Sequence, residues 1–105
     1  MEIEYLKPED LERASGMLKA IAHPVRISII SFLENNKNKT VTEIHSHLGI
    51  EQSTASHHLG IMKDKGVLSS RREGKNTYYC LKNEKLTAIL HCISECCQSK
   101  PTVIL

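Results

Sequence analysis

Apolar residues fall at spacings of three and four over three stretches of the chain, with polar punctuation between them. Leu11, Ala14, Met17, Leu18 and Ile21 predict a first helix opened by Pro8-Glu9-Asp10, whose acidic residues suit an amino end. His23-Pro24 interrupts it, and Pro24 can start a second helix carrying Val25, Ile29, Ile30, Phe32 and Leu33. Asn35 to Lys39 reads as a solvated loop. Thr40-Val41-Thr42-Glu43 has capping-box spacing, so a short helix follows to Leu48, with Gly49 as its terminator. A fourth helix begins after Ile50 and ends near Lys65-Gly66. Val67 to Ser70 and Thr77 to Leu81 predict two strands joined around Gly74. Asn83 to about Gln98 closes the series as a helix, apolar at Leu86, Ile89, Leu90, Ile93, Cys96 and Cys97. Those positions are wide enough to pack on the body and on a partner chain. The class is mainly α with a small β-hairpin: about five helices plus a two-stranded wing, a winged helix-turn-helix. The pattern predicts one domain over residues 1–105, with 8–98 as its ordered core, and a flexible tail is expected over 99–105, which ends in apolar Val103-Ile104-Leu105.

The fourth helix is polar where a packing helix would not be. Gln52, Ser53, Thr54, Ser56, His57 and His58 crowd its first two turns, and Leu59, Ile61 and Met62 follow as anchors. Short polar side chains at a helix start can approach the donors and acceptors of base edges. Arg71, Arg72 and Lys75 lie in the hairpin just after it, where phosphate contacts need cations. Together they predict a recognition helix and a wing on double-stranded DNA.

Composition adds bounds. A formal net charge of +2 is too weak to imply nucleic acid, but its distribution is uneven. Glu2, Glu4, Glu9, Asp10 and Glu12 face only Lys7 at the amino end. Lys63, Lys65, Arg71, Arg72 and Lys75 outnumber Asp64 and Glu73 around the hairpin. The acidic amino terminus has no apolar signal-peptide core, and no apolar run approaches a membrane span, so a cytoplasmic protein without membrane contact is expected. Thiols stay reduced there, and Cys80, Cys92, Cys96 and Cys97 are not a disulfide framework.

Several segments match one family in order and spacing. Leu18-Lys-Ala-Ile-Ala-His-Pro-Val-Arg26 resembles the "LKALADPTRLxIL" opening of ArsR/SmtB-type repressors, and Gly49 to Leu59 resembles their "LGLSQSTVSxHL" recognition helix. Lys65-Gly-Val-Leu and Arg71 to Tyr79 resemble the turn and wing, so the likeness spans roughly residues 12–98. It implies a homodimeric repressor that binds an inverted-repeat operator and leaves it when an inducer binds. By position, Gln52, Ser53, Ser56, His57 and His58 face the major groove; Arg71, Arg72 and Lys75 lie near phosphates or the minor groove. The family's metal sites are not intact. Thr40, Val41 and Thr42 stand where one site has a Cys-x-Cys. Asn83, Lys85, Cys96 and Ser99 stand at the other, and only Cys96 among them is a ligand type.

The remaining reactive residues have two readings each. Cys92 and Cys96 share a helix face, with Cys97 beside it. Across last helices paired as the resemblance implies, these thiols could meet a thiophilic ion or form a redox disulfide; alternatively they are small core hydrophobes. Cys80 reads as strand packing, and His91 with Glu95 as a surface pair. His45 and His47 lie about 200° apart around a helix, on opposite faces, and read as structural. Ser53 and His57 lack the orienting group and oxyanion pocket of a nucleophilic site, so no enzyme activity is expected and no cofactor is called for. An alternative function is a protein-interaction module without effector sensing, working through the apolar tail.

Overall fold

Pro8 takes the first position of helix α1 (Pro8–Ile21), and the Asp10 carboxylate accepts the Lys7 backbone N–H at 3.3 Å. The computed structural model describes residues 6–98, so the expected tail lies outside the described residues. His23 caps helix α2 (Pro24–Phe32), its Nδ1 accepting the Val25 N–H at 3.0 Å. The predicted capping box is present: Thr40 Oγ1 accepts from Glu43 N at 3.1 Å, and Glu43 returns a carboxylate to Thr40 N at 2.9 Å. That backbone N–H bond is the main reason the Glu43 carboxyl sits below its usual range. Helix α3 (Val41–Leu48) then ends at Gly49 with φ +69°, and helix α4 runs Gln52–Asp64.

The hairpin is longer than predicted, and the sheet has a third strand. Strand β1 (Lys39–Thr40) pairs antiparallel with β3 (Asn76–Leu81), which pairs with β2 (Leu68–Glu73), in the order β1-β3-β2. A strand of two residues carries no periodicity to read; it exists because Lys39 and Thr40 meet Tyr79 and Tyr78. The loop before it is held from afar. Asn35 and Asn36 adopt positive φ, and their N–H groups donate to the two carboxylate oxygens of Glu84 at 3.2 and 3.1 Å.

Ile29, Ile30, Leu33, Ile44, Leu59, Met62 and Val67 are fully buried and join α2, α3 and α4 to the base of the wing. At about 1.5–3 kcal/mol per buried side chain, this cluster is the main hold on α4. Two predicted stripes are only partly used. Leu11 and Leu18 of α1 remain exposed while Ala20 and Ile21 are buried. Helix α5 (Leu86–Cys97) starts three residues later than expected, after a turn in which Asn83 Oδ1 accepts from Lys85 N. Its Leu86 and Leu90 pack against the core, but Ile89, Ile93, Cys92, Cys96 and Cys97 are exposed in the protomer. The cysteines are thus not core residues of this chain, because α5 leaves the body after its first two turns.

Candidate nucleic-acid interface

Helix α4 divides its residues by phase. Ala55, His58, Leu59 and Met62, at spacings of three, four and seven, face inward. Gln52, Ser53, Thr54, Ser56 and His57 are exposed on the other side. The turn that presents them is fixed by Gly49 and by His45, whose Nδ1 lies 3.1 Å from Ile50 O. His47 points elsewhere and stacks on Phe32 at 3.9 Å between ring centroids. No side chain caps α4, so its leading N–H groups are open at the same end as the polar cluster.

His58 departs from the expected groove-facing set. It is 8% exposed, and its Nδ1 accepts a hydrogen bond from Arg26 Nε at 3.0 Å. Burial, followed by the nearby His23, Arg26 and His57, holds its pKa below the ordinary 6.5. The helical phase of Ala55, Leu59 and Met62 is the signal that places His58 inward, against the outward direction suggested by its polar neighbours. Arg26, which the pattern left unassigned, is its partner.

The wing places its cations unequally. Lys75 sits at the two-residue turn with Gly74, and Arg72 Nε reaches Gly74 O at 3.4 Å. Arg71 is engaged internally, donating to Glu73 Oε2 and to Asn38 Oδ1, each at 3.1 Å, with its guanidinium 5.3 Å from the Tyr78 ring centre. A small polar cleft separates the wing tip from the helices, lined by Thr40, Thr42, Gln52, Lys75 and Thr77. Cys80 is half-buried on β3.

The other predicted side chains are scattered. His91 pairs with Glu34 at the end of α2, not with Glu95. Among the described residues, no three His, Cys, Asp or Glu side chains lie together so as to hold a metal ion. No described helix is long and apolar enough to cross a membrane.

A family model described as "Bacterial regulatory protein, arsR family" matches residues 23–70, from the α2 cap through the first half of β2. The transcriptional repressor PagR of Bacillus anthracis is 39% identical over 89 residues, covering 85% of this chain and 86% of that protein. PagR's crystal structure matches with a TM-score of 0.74, over 83% of this chain and 99% of that one, at 37% identity. The HTH-type transcriptional regulator YgaV of Escherichia coli (strain K12) is 34% identical, over 75% of this chain and 80% of its own. A solution structure of Mb0332 from Mycobacterium bovis, described as a homodimeric winged helix-turn-helix DNA-binding domain, matches at TM-score 0.74 and 28% identity, over 81% of each chain. With five helices and a small antiparallel sheet among its described residues, and with these relatives, the chain is a winged helix-turn-helix protein and belongs to the arsR family of bacterial regulatory proteins.

Proposed function

We propose that this chain is a non-enzymatic transcriptional repressor that binds an inverted-repeat DNA operator as a homodimer in the cytoplasm. One observation carries the reading: Gln52, Ser53, Thr54, Ser56 and His57 stand exposed together at the open start of α4, where Gln52 shares a cleft with Lys75 of the wing. The short polar side chains read base edges, and the wing meets phosphates. A second copy is supported by the apolar side chains that the protomer leaves in water. Leu6, Leu11 and Leu18 at α1, and Ile89 and Ile93 on α5, are each 40% exposed or more. PagR and YgaV are named as a transcriptional repressor and a transcriptional regulator.

Release by an inducer follows from the same dimer, because effector binding that changes the spacing of two recognition helices lowers their joint fit to successive grooves. Cys92, Cys96 and Cys97 are the sensor candidates: three exposed thiols on the outward end of α5, suited to an oxidant or a thiophilic metal ion.

Selection from a random duplex library, followed by salt titration of the recovered sequence, tests the DNA reading. A preferred sequence whose affinity falls steeply with salt is expected. Failure of every recovered duplex to outcompete random DNA sinks it and favours a protein-interaction module. Replacing Cys92, Cys96 and Cys97 with serine is expected to abolish release by thiol oxidants; unchanged release removes them from sensing.

A further inference from the structure

His58 is the one buried polar side chain among the described residues, and it lies on the recognition helix next to exposed His57. Its environment is built from two other helices. Arg26 of α2 donates to it through Nε at 3.0 Å and reaches back through Nη1 to Ala20 O of α1 at 3.4 Å. One guanidinium therefore ties α1, α2 and α4. The His23 ring lies 4.7 Å from the His58 ring between centroids, and its Nδ1 is committed to the α2 cap. His57 meets His58 edge-on at 5.7 Å. On its outer side Arg26 borders a cleft with Glu12, Lys19 and Lys65.

We propose that Arg26 and His58 form a proton-sensitive latch that sets the aim of the recognition helix, engaged only while His58 is neutral. This rests on the DNA reading above; the residues act as positioning residues and touch no base. Nδ1 can accept from Arg26 only with a lone pair there, so the neutral ring carries its proton on Nε2. A proton taken from solvent occupies that lone pair. Two N–H donors, both cationic, then face each other across the former bond, with the His23 and His57 rings packed against the same site. The bond opens, and α4 loses its polar tie to α1 and α2 while keeping the apolar anchors Leu59 and Met62. Held below the usual histidine range by burial and cationic neighbours, His58 keeps the latch closed at neutral pH and opens it only in acid.

Nitrogen-15 NMR of the imidazole rings in the DNA-free protein tests the latch without relying on DNA binding. His58 is expected as the Nε2–H tautomer, with its midpoint below the ordinary histidine value of 6.5. The Arg26 Nε–H and the α4 amides are expected to move with the His58 midpoint. An Nδ1–H tautomer, or α4 shifts that follow another midpoint, would overturn the proposal. For function, affinity for a selected duplex is divided by affinity for random duplex, in a His57→Gln background that takes the adjoining imidazole out of the comparison. Acidification through the His58 midpoint is expected to lower this ratio about tenfold, the scale of losing one charge-assisted hydrogen bond. His58→Asn places an untitratable oxygen near the Nδ1 position and is expected to preserve the ratio and flatten its pH profile. An equal acid loss in His58→Asn overturns the latch. If no duplex outcompetes random DNA, the DNA reading fails, and the ring tautomer with its linked α4 shifts still decides whether the latch exists.

Discussion

Arg71 donates through Nη1 to Asn38 Oδ1 at 3.1 Å and thereby joins the wing to the loop ahead of β1. Asn38 is thirty-three residues away in sequence, so the bond braces the hairpin against the body. The same guanidinium also meets Glu73 and Tyr78, which leaves it less free for phosphate than its neighbours.

The wing arginines should therefore separate in a salt titration. Arg72→Ala and Lys75→Ala are each expected to reduce the slope of log affinity against log salt by about 0.9, the value for one neutralised phosphate. Arg71→Ala is expected to change the slope by less than half as much, since Glu73 already neutralises part of its charge. Fluorescence anisotropy on one duplex over a range of salt concentrations checks the order; equal slopes for all three would return Arg71 to the phosphate-contacting set.

Two glycines should respond in opposite senses. Gly49 ends α3 at φ +69° in open space, so Gly49→Ala meets no neighbour and costs only conformational strain, about 1–2 kcal/mol. Gly60 lies inside α4, also with open space at its missing Cβ, and Gly60→Ala is expected to stabilise by about 0.5–1 kcal/mol. Urea unfolding of the two variants reads both signs.

Core and partner faces can be told apart by what each truncation disturbs. Leu59→Ala removes a fully buried side chain and is expected to cost about 2–5 kcal/mol in unfolding free energy. Leu18→Asp and Ile93→Asp alter exposed positions, so the protomer should remain folded by circular dichroism. Sedimentation is expected to show loss of the dimer in both. A dimer that survives the pair would place the second copy on another face.

Burial of His58 also sets a pH dependence of stability. Its folded pKa lies below the ordinary 6.5, so in acid the unfolded chain binds the proton first. The contribution is fully present above 6.5 and is lost as pH falls through the lower folded value. Chemical unfolding across that window should show wild type losing more stability than His58→Asn.

Much of this architecture was legible because its signals are local. The Thr40–Glu43 capping box, Pro8 and Pro24 at helix starts, and Gly49 at a helix end act within a few residues, and each appears where the chain predicts it. Periodicity likewise located α4 and its polar start, since Gln52 to His57 lie in continuous helix. Tertiary structure decided what the pattern left open. It turned His58 away from the exposed face to meet Arg26, paired Lys39 and Thr40 with a strand almost forty residues on, and took Arg71 into a brace. It also left Leu18, Ile93 and the α5 thiols in water, where composition alone allowed a core. Backbone caps and helical period depend on neighbours in sequence. The partner of a buried histidine or a wing arginine depends on which distant elements packing brings within hydrogen-bond reach.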